Sequence, residues 1–472
     1  MGRFDGLYRR VPLWGQHAAV SLYGFYWHWL RFGPGSDRFR KDYLERERFN
    51  DQQWSDWQRD ALGKVLAAAA LHVPYYSSTW TDSEKAAARA GRVQDLPLLG
   101  KDAIRSDPEA FLRSDVRPWL RPAFHTSGST GTPVRTIWTV GEIRDSMAVR
   151  EVRSAGWAGV SFQQPRATFS GRLIEPEPES DGPFYRFNAI ERQVYLSAFH
   201  LRPQTAPLYV RALARHRIEW LTGYAVSYYL LARFMLDQGL RTPGLKAVVT
   251  TSEKVTPAMR KTMEAAYGCP VYEEYSNVEN SLFASECREH RLHVSPDVGL
   301  VEILRPDGTP SEPGETGELV STTLLRWYQP LIRYRLGDVG RWDSEPCPCG
   351  RPLPVLKEVV GRVEDVVVGP DGRQLVRFHG VFIDQPHVRE GQIIQEALDR
   401  IRVRIVPDGA FGPVDREETI QRVRQRLGPR VEIVVETVEE IPRSAAGKFR
   451  AVVSLIGRPA NQPDSGAPGG QP

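Results

Sequence analysis

The chain has 472 residues, of which 41% are hydrophobic and 25% are charged; this is typical of a soluble globular protein with two or three domains. A net charge of +4 is small for this length, so charge gives no support for binding to nucleic acid or to a membrane. No segment reaches the ~18 to 20 apolar residues of a membrane span, and no secretion signal is recognisable, which indicates a cytoplasmic protein.

Residues 1–120 are predicted to form a helical N-terminal part of a large domain, with the clearest helical period at 54–71. Residues 11–30 come nearest to a membrane span, but Gln16, His17 and His28 interrupt them. Their aromatic side chains are compatible with a helix at a membrane interface. We favour a helix that packs its aromatic face on the main domain.

Residues 121–362 are predicted to form a large α/β domain with a mostly parallel sheet, because short apolar runs such as 246–251 alternate with helical stretches. The helical stretches are 206–215, 224–240 and 257–266, and two β-rich runs follow at 300–304 and 317–323.

The pattern changes after residue 361, and residues 363–457 are predicted to form a small α+β domain. It begins with a hairpin-type turn at 369–372 and continues with strands at 401–406 and 431–435 around a helix at 417–427. Residues 458–472 are rich in Pro, Gly, Gln and Ser, which predicts a disordered tail.

Residues 125–133 read His-Thr-Ser-Gly-Ser-Thr-Gly-Thr-Pro and contain five hydroxyl side chains and two glycines. Glycine allows the backbone N–H groups to curve around an anion, and the hydroxyls add neutral donors. The loop differs from a Walker loop, which has Lys where Thr132 stands. Such a run alone is more often a linker, but the alternating run at 134–140 predicts a strand beside it.

Four further motifs follow in order. They are Tyr-Ser-Asn-Val-Glu at 275–279, Tyr-Arg-Leu-Gly-Asp at 334–338, Gly-Arg-Val-Glu-Asp at 361–365 and Pro-Arg-Ser-Ala-Ala-Gly-Lys at 442–448. The series resembles the adenylate-forming (acyl-/aryl-CoA synthetase) superfamily. It is most similar to the phenylacetate–CoA ligase-like branch, including CapK-like proteins named for capsular polysaccharide biosynthesis. The resemblance extends over roughly residues 5 to 457, with branch motifs at 73–76, 96–101, 188–192 and 330–334.

The resemblance implies how ATP is held. The phosphate-binding residues would be Ser127, Gly128, Ser129, Thr130 and Gly131. Tyr275 would stack on adenine, Glu279 would ligate Mg²⁺, and Asp338 would accept hydrogen bonds from both ribose hydroxyls. Seen alone, these three residues would be an ordinary aromatic, a surface acid and a turn-capping residue.

The resemblance also implies cations around the reacting phosphate. Arg335 and Arg362 would face the ribose and phosphates, and Lys448 would bridge a carboxylate oxygen and the α-phosphate. Glu364 and Asp365 fall at the hinge of the family, about which the small domain would rotate.

The carboxylic acid is expected to lie against 220–224 and 250–253, with Tyr224, Ser252 and Glu253 as its contacts. Tyr224 could equally be part of a helix core. The sequence does not reveal which acid is bound.

The four cysteines do not form a disulfide framework in a chain of this kind. Cys347 and Cys349 lie on a turn, and Cys287 and His293 lie upstream. Three thiolates and one imidazole would make a closed, structural Zn²⁺ site, although His290 competes with His293. Cys269 is expected to be a small buried hydrophobe.

The favoured interpretation is an enzyme that uses ATP and Mg²⁺ to convert a small carboxylic acid to an adenylate with release of pyrophosphate. The acyl group would then pass to a thiol of the coenzyme A type. The segment after Arg362 lacks the usual glycine-containing continuation of the family, which weakens the case for coenzyme A. The alternatives are an amide ligase with an amine acceptor, in polysaccharide or secondary-metabolite biosynthesis, and a non-catalytic nucleotide-binding protein. We expect a monomer or homodimer.

Overall fold

The computed structural model describes residues 11–125, 134–170, 174–175, 180–242, 244–360, 367–370, 374–375, 381–382, 385, 387–407, 409–441 and 452–456. Several predicted features lie outside these residues. They are the phosphate-binding residues Ser127, Gly128, Ser129, Thr130 and Gly131, the hinge motif with Arg362, the catalytic Lys448 and the tail 458–472.

Helices dominate the N-terminal part, as predicted. They are α1 (Leu13–Phe32), α2 (Ser36–Arg46), α3 (Asp51–His72), α4 (Pro74–Thr79), α5 (Asp82–Arg89) and α6 (Lys101–Ser106). Helix α3 begins at a capping box, in which Asn50 and Gln53 satisfy each other's backbone N–H groups. None of the helices within the described ranges combines the length and apolar character needed to cross a bilayer.

Fourteen strands follow within the described ranges up to residue 360. They are β1 (Ala123–His125), β2 (Arg135–Ile137), β3 (Arg166–Ser170), β4 (Tyr185–Asn188), β5 (Gln193–Ser197), β6 (Trp220–Tyr224), β7 (Ala247–Thr251), β8 (Val271–Ser276), β9 (Phe283–Glu286), β10 (Leu292–Val294), β11 (Gly299–Leu304), β12 (Gly317–Thr323), β13 (Tyr334–Trp342) and β14 (Val355–Val360). Between them lie α7 (Val140–Val149), which continues as a π-helix at Arg150–Ala155, and α8 (Ala206–Arg215), α9 (Ala225–Gln238) and α10 (Pro257–Tyr267).

Twelve of these strands form one sheet in the order β11-β12-β13-β14-β10-β9-β8-β7-β6-β3-β5-β4. Its parallel part is β5-β3-β6-β7-β8, in which α8, α9 and α10 connect consecutive strands. These helices bury a core of residues such as Phe169, Tyr228 and Met263 against the parallel strands. The remaining pairs are antiparallel. β4 pairs with β5 at one edge, and the pairs from β8 to β11 include the predicted β-rich runs of β11 and β12. The α/β fold class is therefore confirmed, although the large sheet is mixed rather than mostly parallel.

Helix α1 exists as predicted, but only part of its aromatic face packs on the domain. Trp27 and Trp29 pack on the buried cluster around Leu30 and Trp138, whereas Trp14, Tyr23 and Phe25 are exposed. The reason lies in β4, an edge strand whose backbone groups need hydrogen-bond partners. His17 Nδ1 accepts a hydrogen bond from the Phe187 N–H (3.0 Å), and Ser21 Oγ accepts one from the Ala189 N–H (3.0 Å).

The C-terminal part contains the hairpin of β15 (Val367–Val368) with β16 (Gln374–Leu375), as predicted. A four-stranded sheet follows in the order β19-β18-β17-β20, with α11 (Pro413–Leu427) against it. Its strands are β17 (Val388–Ala397), β18 (Arg400–Pro407), β19 (Glu432–Thr437) and β20 (Val452–Ser454). This is a small α+β unit, and its boundary at 361–366 stays a prediction.

Candidate functional site

The predicted acid-binding residues and Tyr275, the predicted adenine contact, lie at the carboxyl ends of three neighbouring parallel strands, where open α/β sheets bind their ligands. The register pairs Tyr224 at the end of β6 with Thr251 of β7, and Thr251 with Glu274 of β8. Ser252 and Glu253 follow β7, and Tyr275 is the next residue of β8. The fold therefore brings these segments to one edge of the sheet.

Two backbone positions at this edge have positive φ angles. Gly223 has φ +125°, and a Cβ atom there would lie 2.0 Å from the Phe169 carbonyl oxygen, so only glycine fits. Ser252 has φ +72°, an uncommon angle for a residue with a side chain. Glu253 Oε2 accepts a hydrogen bond from the Val226 N–H (2.9 Å), and this carboxylate thereby caps the start of α9.

Two tyrosine–carboxylate hydrogen bonds join the 275–279 motif to β13. The Tyr275 hydroxyl donates to Asp338 Oδ2 (2.8 Å), and the Tyr334 hydroxyl donates to Glu279 Oε1 (2.5 Å). The two segments are not neighbours in the sheet, because β14, β10 and β9 separate β13 from β8. Tyr275 and Asp338, which two different motifs nominated, are thus in direct contact, and Glu279 contacts Tyr334 of the same motif as Asp338.

The backbone on both sides of the Glu279–Tyr334 bond also has positive φ angles. Asn280, which follows Glu279, has φ +50°, and Arg333, which precedes Tyr334, has φ +48°. Arg333 is held by an ion pair with Glu302 (2.9 Å) and by a hydrogen bond to the Leu96 carbonyl oxygen (2.8 Å). Uncommon backbone angles that the surroundings hold in place are typical of functional sites.

The stems of the Ser/Thr/Gly loop are fixed next to Glu279. Residues 126–133 connect β1 to β2, which pair as an antiparallel hairpin. The Ile137 N–H donates to Gln329 Oε1 (2.8 Å), while Arg326 donates to the carbonyl oxygens of Ile137 (2.6 Å) and Glu279 (3.0 Å). Arg326 and Gln329 were not predicted as site residues, because no local pattern marks a polar side chain as buried.

Arg326 is 1% exposed, and its guanidinium lies 3.9 Å from the ring centroid of Trp138. Burial lowers the pKa of Arg326.

Arg335 lies on the opposite face of β13 from Tyr334. Its guanidinium forms an ion pair with Glu318 of β12 (2.6 Å), and its side chain is 51% exposed. The alternation of side chains along a strand separates it from its neighbour Tyr334. Its predicted role at the phosphates stays a prediction.

Cys287, His293, Cys347 and Cys349 converge, with all four ligand atoms within 4.8 Å of one another. The Cys287 and Cys347 sulfurs are 3.6 Å apart, and the Cys349 sulfur is 3.4 Å from His293 Nε2. A tetrahedral zinc ion would place two sulfurs about 3.8 Å apart and a sulfur and a nitrogen about 3.5 Å apart. The donor set therefore fits zinc.

The pKa values of His293 and Cys349, but not that of Cys287, are shifted toward the form that binds a metal. Burial lowers the pKa of His293 to about 4, so its ring is neutral at pH 7, and His293 Nδ1 lies 3.2 Å from the Leu353 carbonyl oxygen, which fixes the ring. Burial raises the pKa of Cys287 to about 12. For Cys349, burial opposes ionisation, but hydrogen bonds from Arg351 outweigh it and lower the pKa.

His290, the competing ligand, lies outside the cluster, and its Nδ1 is 2.9 Å from Arg260 Nη1. The cluster lies at the opposite strand ends from the predicted nucleotide-binding residues. Cys287 follows β9 at one end, whereas Phe283 at the other end pairs with Ser276. A metal here would have a structural role.

Comparisons with known proteins agree with these observations. Residues 373–455 match the family model of the CapK C-terminal domain. Protein CapK of Staphylococcus aureus is 26% identical over 382 residues, which cover 77% of this chain and 80% of the relative. A phenylacetate-coenzyme A ligase of Thermus thermophilus is 28% identical over 454 residues, covering 84% of this chain and 96% of the relative.

Two solved structures share the fold. A 2-hydroxyisobutyryl-CoA ligase in complex with 2-HIB-AMP and CoA, in the thioesterification state, superposes with a TM-score of 0.57 at 19% identity. The same enzyme in the postadenylation state with R3-HIB-AMP gives a TM-score of 0.54 at 21% identity. Each match covers 88% of this chain and 92% of the other.

Proposed function

The chain belongs to the adenylate-forming superfamily, among relatives named CapK and phenylacetate-coenzyme A ligase, and we propose that it activates a carboxylic acid with ATP. A carboxylate oxygen of the acid attacks the α-phosphorus of ATP and forms the new bond to phosphorus, and pyrophosphate leaves. The acyl group of the adenylate then passes to a thiol of the coenzyme A type, and AMP leaves.

The double contact between the 275–279 motif and β13 carries this proposal. Asp338 offers a carboxylate to the vicinal hydroxyls of ribose, and the Tyr275 hydroxyl orients that carboxylate. Tyr275 would also present its ring to adenine.

Glu279 would hold Mg²⁺, since Tyr334 engages one carboxylate oxygen, Oε1, and a carboxylate has a second. The metal would neutralise charge on the phosphates.

The remaining roles rest on the resemblance. Ser127, Gly128, Ser129, Thr130 and Gly131, which lie between β1 and β2 in the sequence, would cradle the phosphates. Arg326 holds Ile137 of β2 beside Glu279. Arg335, Arg362 and Lys448 would stabilise charge on the phosphates. The acid would lie near Tyr224, Ser252 and Glu253, at the carboxyl ends of β6 and β7.

The test is acid-dependent release of pyrophosphate from ATP across a panel of aryl and short acyl acids, with and without coenzyme A. The expected result is release that requires one class of acid, and thioester formation when coenzyme A is added. Adenylate formation with amide rather than thioester product would favour the amide ligase with an amine acceptor. ATP binding with no acid-dependent release from any acid would contradict the enzyme proposal and favour a nucleotide-binding protein.

A structural zinc ion at Cys287, His293, Cys347 and Cys349 is a second part of the proposal. The ligand distances and the neutral imidazole support it. A cytoplasmic location is a third part, because none of the four cysteines, all within the described residues, forms a disulfide, as is usual in reducing compartments.

A further inference from the structure

Helix α1 carries a broad face of exposed apolar side chains. Trp14 and Leu22 are each 75% exposed and Phe25 is 58% exposed. These residues lie on one stripe of the helix at spacings of eight and three residues, with Ala18 between them. Tyr23 and Tyr26 widen the stripe and are also exposed. We name the five large residues, Trp14, Leu22, Tyr23, Phe25 and Tyr26, the α1 face.

The α1 face cannot turn inward without breaking the contacts of the opposite side. Gln16 Oε1 accepts a hydrogen bond from Arg186 Nε (2.6 Å), and His17 and Ser21 accept hydrogen bonds from the backbone of the edge strand β4 and the turn after it. A Cβ atom on Gly24 would lie 2.2 Å from the Asn188 amide, so the helix sits directly on the strand. The fold therefore presents the aromatic residues outward as a fixed surface.

The exposed apolar surface continues beyond the helix. Trp119 is 75% exposed and its ring lies 5.7 Å from that of Trp29. Trp27 forms an edge contact with Tyr26 and packs on Phe124, at the β1–β2 hairpin. A continuous apolar surface of this kind marks an interaction site rather than a scatter of single exposed residues.

The distribution of charged residues indicates which partner binds the α1 face. Within Leu13–Phe32 the only charged residue is Arg31, and there is no Asp or Glu. The first 41 residues contain seven Lys or Arg and two Asp or Glu, a net charge of +5, against +4 for the whole chain. The rest of the chain is therefore slightly acidic, and the positive charge is concentrated in the N-terminal part of the sequence that contains α1.

We propose that α1 lies in the plane of an anionic lipid bilayer and binds its surface, with the α1 face in the headgroup region. Trp and Tyr are enriched at that depth, and an uncharged apolar face with basic flanks is typical of helices that lie on membranes. Arg38, Arg40 and Lys41 would contact acidic headgroups within a Debye length of the surface. This activity is separate from the proposed ligase reaction.

The test is cosedimentation of the full chain with vesicles of phosphatidylcholine alone or of equimolar phosphatidylcholine and phosphatidylglycerol. The wild type should bind the anionic vesicles more strongly, and added salt should weaken binding. The triple variant Trp14→Ser, Leu22→Ser, Phe25→Ser should lose at least tenfold in partition coefficient, which corresponds to about 1.4 kcal/mol.

A matched control removes exposed apolar residues elsewhere. The double variant Leu71→Ser, Leu236→Ser changes side chains that are 67% and 48% exposed on α3 and α9, and it should bind as the wild type does.

A second variant, Arg38→Gln, Arg40→Gln, Lys41→Gln, should lose the preference for phosphatidylglycerol. Thermal melting checks that each variant is folded.

Sedimentation with neither vesicle, or binding that the triple variant retains, would overturn the proposal. Size-exclusion chromatography with light scattering should give the same molar mass for the wild type and for the triple variant. If the wild type is a dimer that does not bind vesicles, and the triple variant is a monomer, the α1 face would instead bind a second copy of the chain. Pyrophosphate release without vesicles tests the ligase proposal separately, because α1 contributes no residue to that site.

Discussion

Replacing Cys349 by serine should release zinc from the cluster and destabilise the large domain. The substitution removes one sulfur of a set whose sulfur and nitrogen distances match a tetrahedral ion. A site occupied at 1,000 times its Kd stabilises the folded state by about 4.1 kcal/mol. With about 2.1 cal/mol/K per residue for unfolding, a unit of about 350 residues should lose roughly 6 °C in Tm.

Elemental analysis and differential scanning calorimetry of the purified protein provide the assay. The wild type should contain about one equivalent of zinc, the stoichiometry of one closed site. Cys269→Ser is the matched control, because Cys269 is a buried free thiol outside the cluster. That variant should keep its zinc, even if the buried hydroxyl lowers Tm. Wild-type metal content and Tm in Cys349→Ser would refute the zinc site.

Three further predictions concern catalysis. Asp338→Ala should raise the KM for ATP strongly, because two charge-assisted hydrogen bonds to ribose are worth about 1.5 to 3 kcal/mol each, and unchanged ATP dependence would remove Asp338 from the site. Tyr334→Phe removes the donor to Glu279 and should raise the Mg²⁺ concentration for half-maximal rate on the order of tenfold or more. The control Tyr267→Phe removes a buried hydroxyl that donates to a backbone carbonyl and should leave the Mg²⁺ dependence unchanged; equal effects in both variants would argue against the assignment. Lys448→Ala should reduce pyrophosphate release by about 10² to 10³ while converting a supplied acyl-adenylate at nearly the wild-type rate, and equal damage to both steps would indicate a general structural role.

Local elements followed closely from the sequence. The helix predicted at 206–215 is Ala206–Arg215, because its apolar residues recur with a helical period and a proline stands in its first turn. The helix predicted from 224 begins instead at Ala225, since Tyr224 is the last residue of β6. Boundaries of this kind depend on which strand the preceding residue joins.

For the metal ligands, the sequence predicted part of the set and the tertiary structure decided the rest. The sequence nominated three cysteines and left His290 and His293 as competitors. Strand β10 decides between them, because its pairing with β9 and β14 places His293 opposite Ser285 and Val355. His290 lies in the preceding turn with φ +53° and contacts Arg260 instead.

The sequence by itself determined the fold class, several of the helices and strands, and the motifs that nominate Tyr275, Glu279 and Asp338, because these follow from local periodicity and from motif identity. Only the tertiary structure decided which side chains meet. The Tyr275–Asp338 and Tyr334–Glu279 bonds join residues 63 and 55 positions apart, across strands that are not neighbours. It also decided that α1 turns its polar side to β4 and its aromatic side outward, because an edge strand requires hydrogen-bond partners that an aromatic face cannot offer.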